Sequence, residues 1–188
     1  MNGLGFGGSV VHRLAVVTFV LLVATAGVFA GGQPEVEVGE DGVKSVESDG
    51  LVFQWIIDGD EIEVTISAPT TGWVSVGFNP QRRMAGATYV IGYVAGGEVH
   101  VRHDYGNAPT AHRPVVDLGG TSRVTAIGGR EVDGRTEISF RLPLDPGGDF
   151  YTPIVAGERN TVIWAIGPAG AKNFTAYHAR RGSFSVEL

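Results

Sequence analysis

The stretch EIEVTISA, residues 61–68, sets Ile62, Val64 and Ile66 against Glu61, Glu63 and Thr65 in strict alternation. A side-chain period of two belongs to a β-strand with one face in a core and the other in water. DGDE at 58–61 reads as a turn, which ties this strand to LVFQWII at 51–57 in a hairpin. Further strands are expected at WVSVGF (73–78), TYVIGYV (88–94), EVHVRH (98–103), RVTAIGG (123–129), TEISFRL (136–142), TVIWAIG (161–167) and SFSVEL (183–188). Their separators, such as TTG, NPQRR, AGG, DGR, DPGGD and GPAG, are rich in turn residues. No stretch after residue 30 keeps a helical period, so the chain predicts a single all-β sandwich domain without internal repeats.

Composition removes several classes of function. A formal charge of -6 and a pI near 5.3 leave no basic face for phosphate neutralisation, which argues against nucleic acid. With no cysteine in 188 residues, disulfides, thiolate metal sites, Fe–S clusters and covalent c-type haem attachment are all unavailable. His12 and Arg13 precede LAVVTFVLLVATAGVFA, an apolar run ending in small residues, and then the acidic GGQPEVEVGEDG. That order predicts a signal peptide over 1–30, cleaved after Ala30, and an exported protein in the periplasm, the cell envelope or the extracellular space. The alternative is an uncleaved anchor, the one case in which the chain would hold a membrane. Residues 31–49 read as an acidic, Gly-rich lead-in, either a linker or a loosely attached first strand, and 50–188 as the folded domain.

TYVIGYV is apolar on both faces, with Tyr89, Ile91 and Tyr93 on one side and Val90 and Val94 on the other, so something should cover it. Gly77 and Gly92 fall inside strands, where glycine marks a tight sheet contact or room for a planar group. No GxSxG, HExxH, P-loop or strand-linked GxGxxG is present, so no catalytic constellation emerges. His100 and His103, three apart on a strand, point to opposite faces and do not share a metal. His112 reads as a surface or loop-stabilising histidine, while His178 in FTAYHARRG has no local structural reason. Met84 in QRRMAGATYV is the only methionine apart from the initiator, and most single methionines fill gaps in cores.

GWVSVGFNP, MAGATYVIGYV, GEVHVRHDYG, VIWAIGP and YHARRGSFSVEL, in that order over residues 45 to 188, resemble the DOMON domain family. That family includes the regulatory domain of dopamine β-hydroxylase and the cytochrome domain of cellobiose dehydrogenase. The resemblance implies an immunoglobulin-like antiparallel β-sandwich with a pocket for either a b-type haem or a sugar. In the haem-binding members a methionine of the M-x-G block and a late histidine are the axial ligands. Met84 and His178 fall on those positions. A thioether and a neutral imidazole suit haem iron, and two filled axial positions imply electron transfer instead of catalysis. The haem b would be held non-covalently.

The strand alternation sketches the pocket as a flat apolar slot lined by Tyr89, Ile91 and Tyr93 with Trp73 or Val74 and Val76. Arg82, Arg83, Arg180 and Arg181 flank the two ligands, and Arg83 and Arg181 are expected to meet the haem propionates. Many family members carry an acidic residue where this chain has Thr88. Electrons would pass to a separate redox partner protein. A second class of function is a carbohydrate- or small-ligand-binding module using the aromatic set Trp55, Trp73, Tyr89, Tyr93 and Trp164. A third is a structural exported domain that docks a partner.

Overall fold

The structure, a computed structural model, describes residues 34–188. The export segment expected at 1–30 lies outside the described residues. The strands in chain order are β1 (Glu37–Val38), β2 (Lys44–Ser48), β3 (Leu51–Asp58), β4 (Glu61–Ala68), β5 (Val74–Phe78) and β6 (Thr88–Ala95). They continue with β7 (Glu98–Ala108), β8 (Ala111–Pro114), β9 (Thr125–Val132), β10 (Arg135–Pro143), β11 (Arg159–Ile166) and β12 (Arg180–Glu187). One turn of 3-10 helix, Val115–Leu118, is the only helical element among the described residues.

These strands form two six-stranded antiparallel sheets, ordered β1-β2-β3-β4-β10-β9 and β12-β11-β5-β6-β7-β8. The all-β sandwich is therefore as the alternation predicts. The β3–β4 hairpin closes through Gly59 at φ 63, and β4 alternates half-buried and buried residues along its whole length. Phe53 of the first sheet meets Trp55 at 5.4 Å, Phe78 at 6.2 Å and Phe184 at 5.6 Å between ring centroids, which joins the two layers. Burying side chains of this size stabilises by about 1.5–3 kcal/mol each, so the interior between the sheets dominates the fold. Gly92 belongs to that interior: a Cβ there would lie 2.8 Å from Ile138 Cδ1 and 2.9 Å from the His100 carbonyl oxygen. Its lack of a side chain lets the sheets approach, the tight-contact reading of an in-strand glycine.

One strand end differs from that expected, and of the two readings of the acidic lead-in the first strand is the one the fold bears: β2 pairs with β3 from Lys44↔Trp55 to Ser48↔Leu51 and Val46 is buried in the core. Its alternation is only five residues long and interrupted by charge, too short to separate from a linker by pattern. The strand expected at 98–103 runs on to Ala108, because β8 turns back through Pro109 and Thr110 and pairs with it. NAPTAHRP carries turn residues but no alternation, so this edge hairpin is set by pairing and not by propensity.

Asn160, 1% exposed, ties one end of the sandwich together. Its carboxamide accepts from Asn79 Nδ2 (2.8 Å) and Val155 N (3.0 Å), and it donates to the carbonyls of Val155 (2.8 Å) and Glu158 (2.9 Å). The Thr88 hydroxyl, fully buried, accepts from Thr152 N at 2.7 Å and anchors the start of β6 to the same end.

Candidate functional site

The pairing of β5 with β6 sets Gly77 opposite Tyr89 and Ser75 opposite Ile91, so these residues and Tyr93 share the face of the second sheet turned away from the core. An outer sandwich face is ordinarily wet. Here Ser75 is 4% exposed, Tyr89 5% and Ile91 2%, so the face is covered. Trp73 ends the same row: its indole lies across Gly167, where a Cβ would be 2.6 Å from Nε1. The Tyr89 ring lies likewise over Gly77, 2.5 Å from where a Cβ would stand. Neither the indole N–H of Trp73 nor the hydroxyl of Tyr89 has a hydrogen-bond partner, although both atoms are buried. Burial alone pushes the Tyr89 phenol above its ordinary range.

Val76 has to be moved from the expected slot. It stands opposite Val90 on the other face of β5, fully buried in the core with Val74, and cannot share a wall with Tyr89, Ile91 and Tyr93. Ser75 and Gly77 occupy the positions it was expected to fill. Strand alternation fixes which residues of one strand go together, but only pairing register says which residues of the next strand join them.

Two connections bend onto this face from opposite ends of its strands. The β5–β6 connection carries Met84 in a tight turn, with Arg83 at φ 55 and an isolated bridge between Arg82 and Ala85. Met84 N donates to the Pro109 carbonyl at 3.3 Å, and Gly86 N to the Gly106 carbonyl at 2.7 Å, so the turn rests on the β7–β8 hairpin. Gly106 permits this: a Cβ there would sit 1.7 Å from the Met84 carbonyl oxygen. The β11–β12 connection carries His178 and also lays Phe174 on the face, with its ring centroid 4.9 Å from that of Tyr93 and 4.5 Å from the Arg102 guanidinium carbon. His178 is half-buried, packs on Tyr177 (4.1 Å) and accepts at Nε2 from the Arg181 guanidinium at 3.3 Å. Partial burial and the Arg181 charge hold its imidazole below the ordinary range, which favours the neutral ring that binds metals. The connections that carry Met84 and His178 thus lie at opposite ends of this sheet's strands.

Arg82, Arg83, Arg180 and Arg181 are exposed, and none has an acidic partner among the described residues. The Arg180 guanidinium is instead hydrogen-bonded to the Asp49 carbonyl. Of the wider aromatic set, Trp55 and Trp164 lie in the core at 1% and 3% exposure and present no surface to a ligand.

Sequence reasoning missed a charged cluster beside the slot. Asp104, completely buried, accepts two bonds of 2.6 Å from Arg102 and a contact of 2.5 Å from His112 Nδ1. Burial raises the Asp104 carboxyl, but the bonds from His112 and Arg102 outweigh it and leave the group below its ordinary value. His112 also stacks on Tyr89, with centroids 5.1 Å apart. His100, Arg102 and Asp104 do recur with period two in EVHVRHD, which was the available signal. The partner His112 came from a segment expected to be loop.

The family model of the DOMON domain matches residues 47–167 of this chain. Solved structures that share its fold include two cytochrome domains. The cytochrome b domain of pyranose dehydrogenase from Coprinopsis cinerea superposes with a TM-score of 0.59 at 17% identity, covering 81% of this chain and 87% of that one. The cytochrome domain of cellobiose dehydrogenase from Myriococcum thermophilum superposes with a TM-score of 0.57 at 10% identity, covering 82% and 88%. The two-sheet architecture, the block order along the chain and the family match agree: this chain belongs to the DOMON domain family.

Proposed function

We propose that this protein is an exported b-type cytochrome domain, in which Met84 and His178 are the axial ligands of a non-covalent haem b on the outer face of the second sheet. The observation that carries the reading is that face itself. It is apolar and buried where a plain sandwich is wet, and it lies between the two connections bearing a thioether and a neutral imidazole. The donor set fits the group, since methionine and histidine ligation is a recognised way to hold a haem of raised potential. The unpaired Trp73 N–H and Tyr89 O–H on the same face fit a bound group that supplies what the protein lacks.

In this reading Trp73, Tyr89, Ile91 and Tyr93 exclude water from the slot. Arg83 and Arg181, exposed and free of acidic partners, would bind the propionates, with Arg181 giving up its bond to His178 Nε2. Arg102, already satisfied by Asp104, keeps the β7 side of the slot charged and rigid. When bound, haem supplies a one-electron couple. The named similar structures are cytochrome domains of sugar dehydrogenases, which supports electron exchange with a redox partner; in this reading the partner is a separate protein.

The test is an absorption spectrum of a 34–188 protein prepared with haem, oxidised and then reduced. Sharp low-spin visible bands on reduction are expected, and Met84→Ala or His178→Ala should convert them to a high-spin spectrum while the fold persists. A flat visible spectrum, or ligand variants that leave the bands unchanged, refutes the assignment.

A further inference from the structure

The β11–β12 connection is tied down on both sides of the stretch 173–178 that carries His178. Before it, Gly170 N donates to Thr71 Oγ1 at 2.9 Å, and the Lys172 ammonium pairs with Glu131 of β9. After it, Ala179 N donates to the Ile166 carbonyl at 2.8 Å. The stretch itself is poor in such ties. The Asn173 carboxamide oxygen accepts from Thr175 N, Thr175 Oγ1 and Ala176 N, each at 2.9 Å, which closes a turn within the segment alone. Among the described residues, its only hydrogen bond to another element is the one His178 Nε2 accepts from Arg181, and the proposed function removes that bond when Arg181 takes a propionate.

Phe174 supplies the segment's hold on the sheet. Its half-buried ring lies 4.9 Å from the Tyr93 ring, tilted by 55°, and 4.5 Å from the Arg102 guanidinium carbon. Both walls of this seat are themselves braced. Tyr93 stacks on His100 at 4.8 Å, and Arg102 donates two bonds of 2.6 Å to the carboxylate of Asp104, which is completely buried. An aromatic pair and a cation over a ring are each modest interactions. Here they fix a stretch that is otherwise open to water, since Asn173, Thr175 and Tyr177 are all exposed.

We propose that Phe174 is the positioning residue for His178: its ring, seated between Tyr93 and Arg102, fixes the segment that carries the imidazole on the outer face of the second sheet. This rests on the reading of His178 as an axial ligand. It also gives the buried Asp104 carboxylate a role, because the ion pair holds the Arg102 guanidinium in place against the ring. Ligation by a segment that must first be ordered loses the entropy of ordering it, whereas a segment already seated does not.

Two measurements test it, one of them without haem. In haem-free 34–188 protein, the backbone amide order parameters of 173–178 should be about 0.85 in the parent and fall below about 0.6 in Phe174→Ala. Phe174 lies outside the core between the sheets, so the order parameters of β4 should stay at the parent's level. In haem-loaded protein, Phe174→Ala should release haem about tenfold faster and convert part of the low-spin spectrum to high-spin. Phe174→Tyr keeps a ring against Tyr93 and Arg102 and should restore both. Unchanged order parameters in Phe174→Ala, or a loosened segment with parent-like spectrum and haem release, overturn the proposal. A parent that takes up no haem refutes the ligand reading instead, and the order parameters then still decide whether Phe174 holds the segment.

Discussion

Lowering the pH from neutral toward 4 should destabilise this protein chiefly through His103. The ring is buried and its pKa falls from an ordinary 6.5 to about 4, with desolvation the leading cause, the Asp104 charge opposing it and the Arg123 charge adding to it. The folded state therefore refuses a proton that the unfolded chain accepts. Above the unfolded pKa of 6.5 neither state is protonated, and the full stability is present. Between 6.5 and about 4 the unfolded state binds more protons, so stability drops by about 1.4 kcal/mol per pH unit, levelling off once the folded ring also titrates. The whole displacement, from 6.5 to about 4, corresponds to a loss of about 3 kcal/mol, a large share of the roughly 5–15 kcal/mol that holds a domain of this size. Urea unfolding of the 34–188 protein at pH 7.5, 6, 5 and 4.5 measures it directly. His103→Phe removes the titrating group and should flatten the profile over this window, whatever its own offset at pH 7.5. His178 also titrates low but is only partly buried, so His178→Asn serves as the control and should keep most of the slope. A parent profile that is flat between 6.5 and 4.5, or a His103→Phe profile as steep as the parent's, would refute this account.

Two other substitutions probe the covered face. Gly106→Ala places a methyl group 1.7 Å from the Met84 carbonyl oxygen, so the turn must lift from the β7–β8 hairpin. It should cost about 1–3 kcal/mol in urea unfolding and weaken haem retention, and unaltered stability would mean that the turn is loosely held. Tyr89→Phe removes a buried hydroxyl that has no partner. Differential scanning calorimetry of the haem-free protein should show it unchanged or more stable by up to about 1 kcal/mol, whereas a clear loss would mean that the hydroxyl is paired within the protein.

Amino-acid order alone determined that this chain is an all-β sandwich, because period-two alternation and glycine-rich turns are local properties that each segment carries for itself. The β3–β4 hairpin, the covering of TYVIGYV and the opposite facing of His100 and His103 were legible for that reason. The family was legible too, since its blocks lie in a fixed order. The tertiary structure decided what depends on register between strands. It moved Val76 into the core and put Ser75 and Gly77 beside Tyr89 and Ile91, because a neighbour across a sheet is chosen by pairing that no single strand encodes. It also brought His112 onto Asp104 through an edge hairpin without alternation. A cavity beside His103 was equally hidden, because its walls come from glycine pairs more than two dozen residues apart.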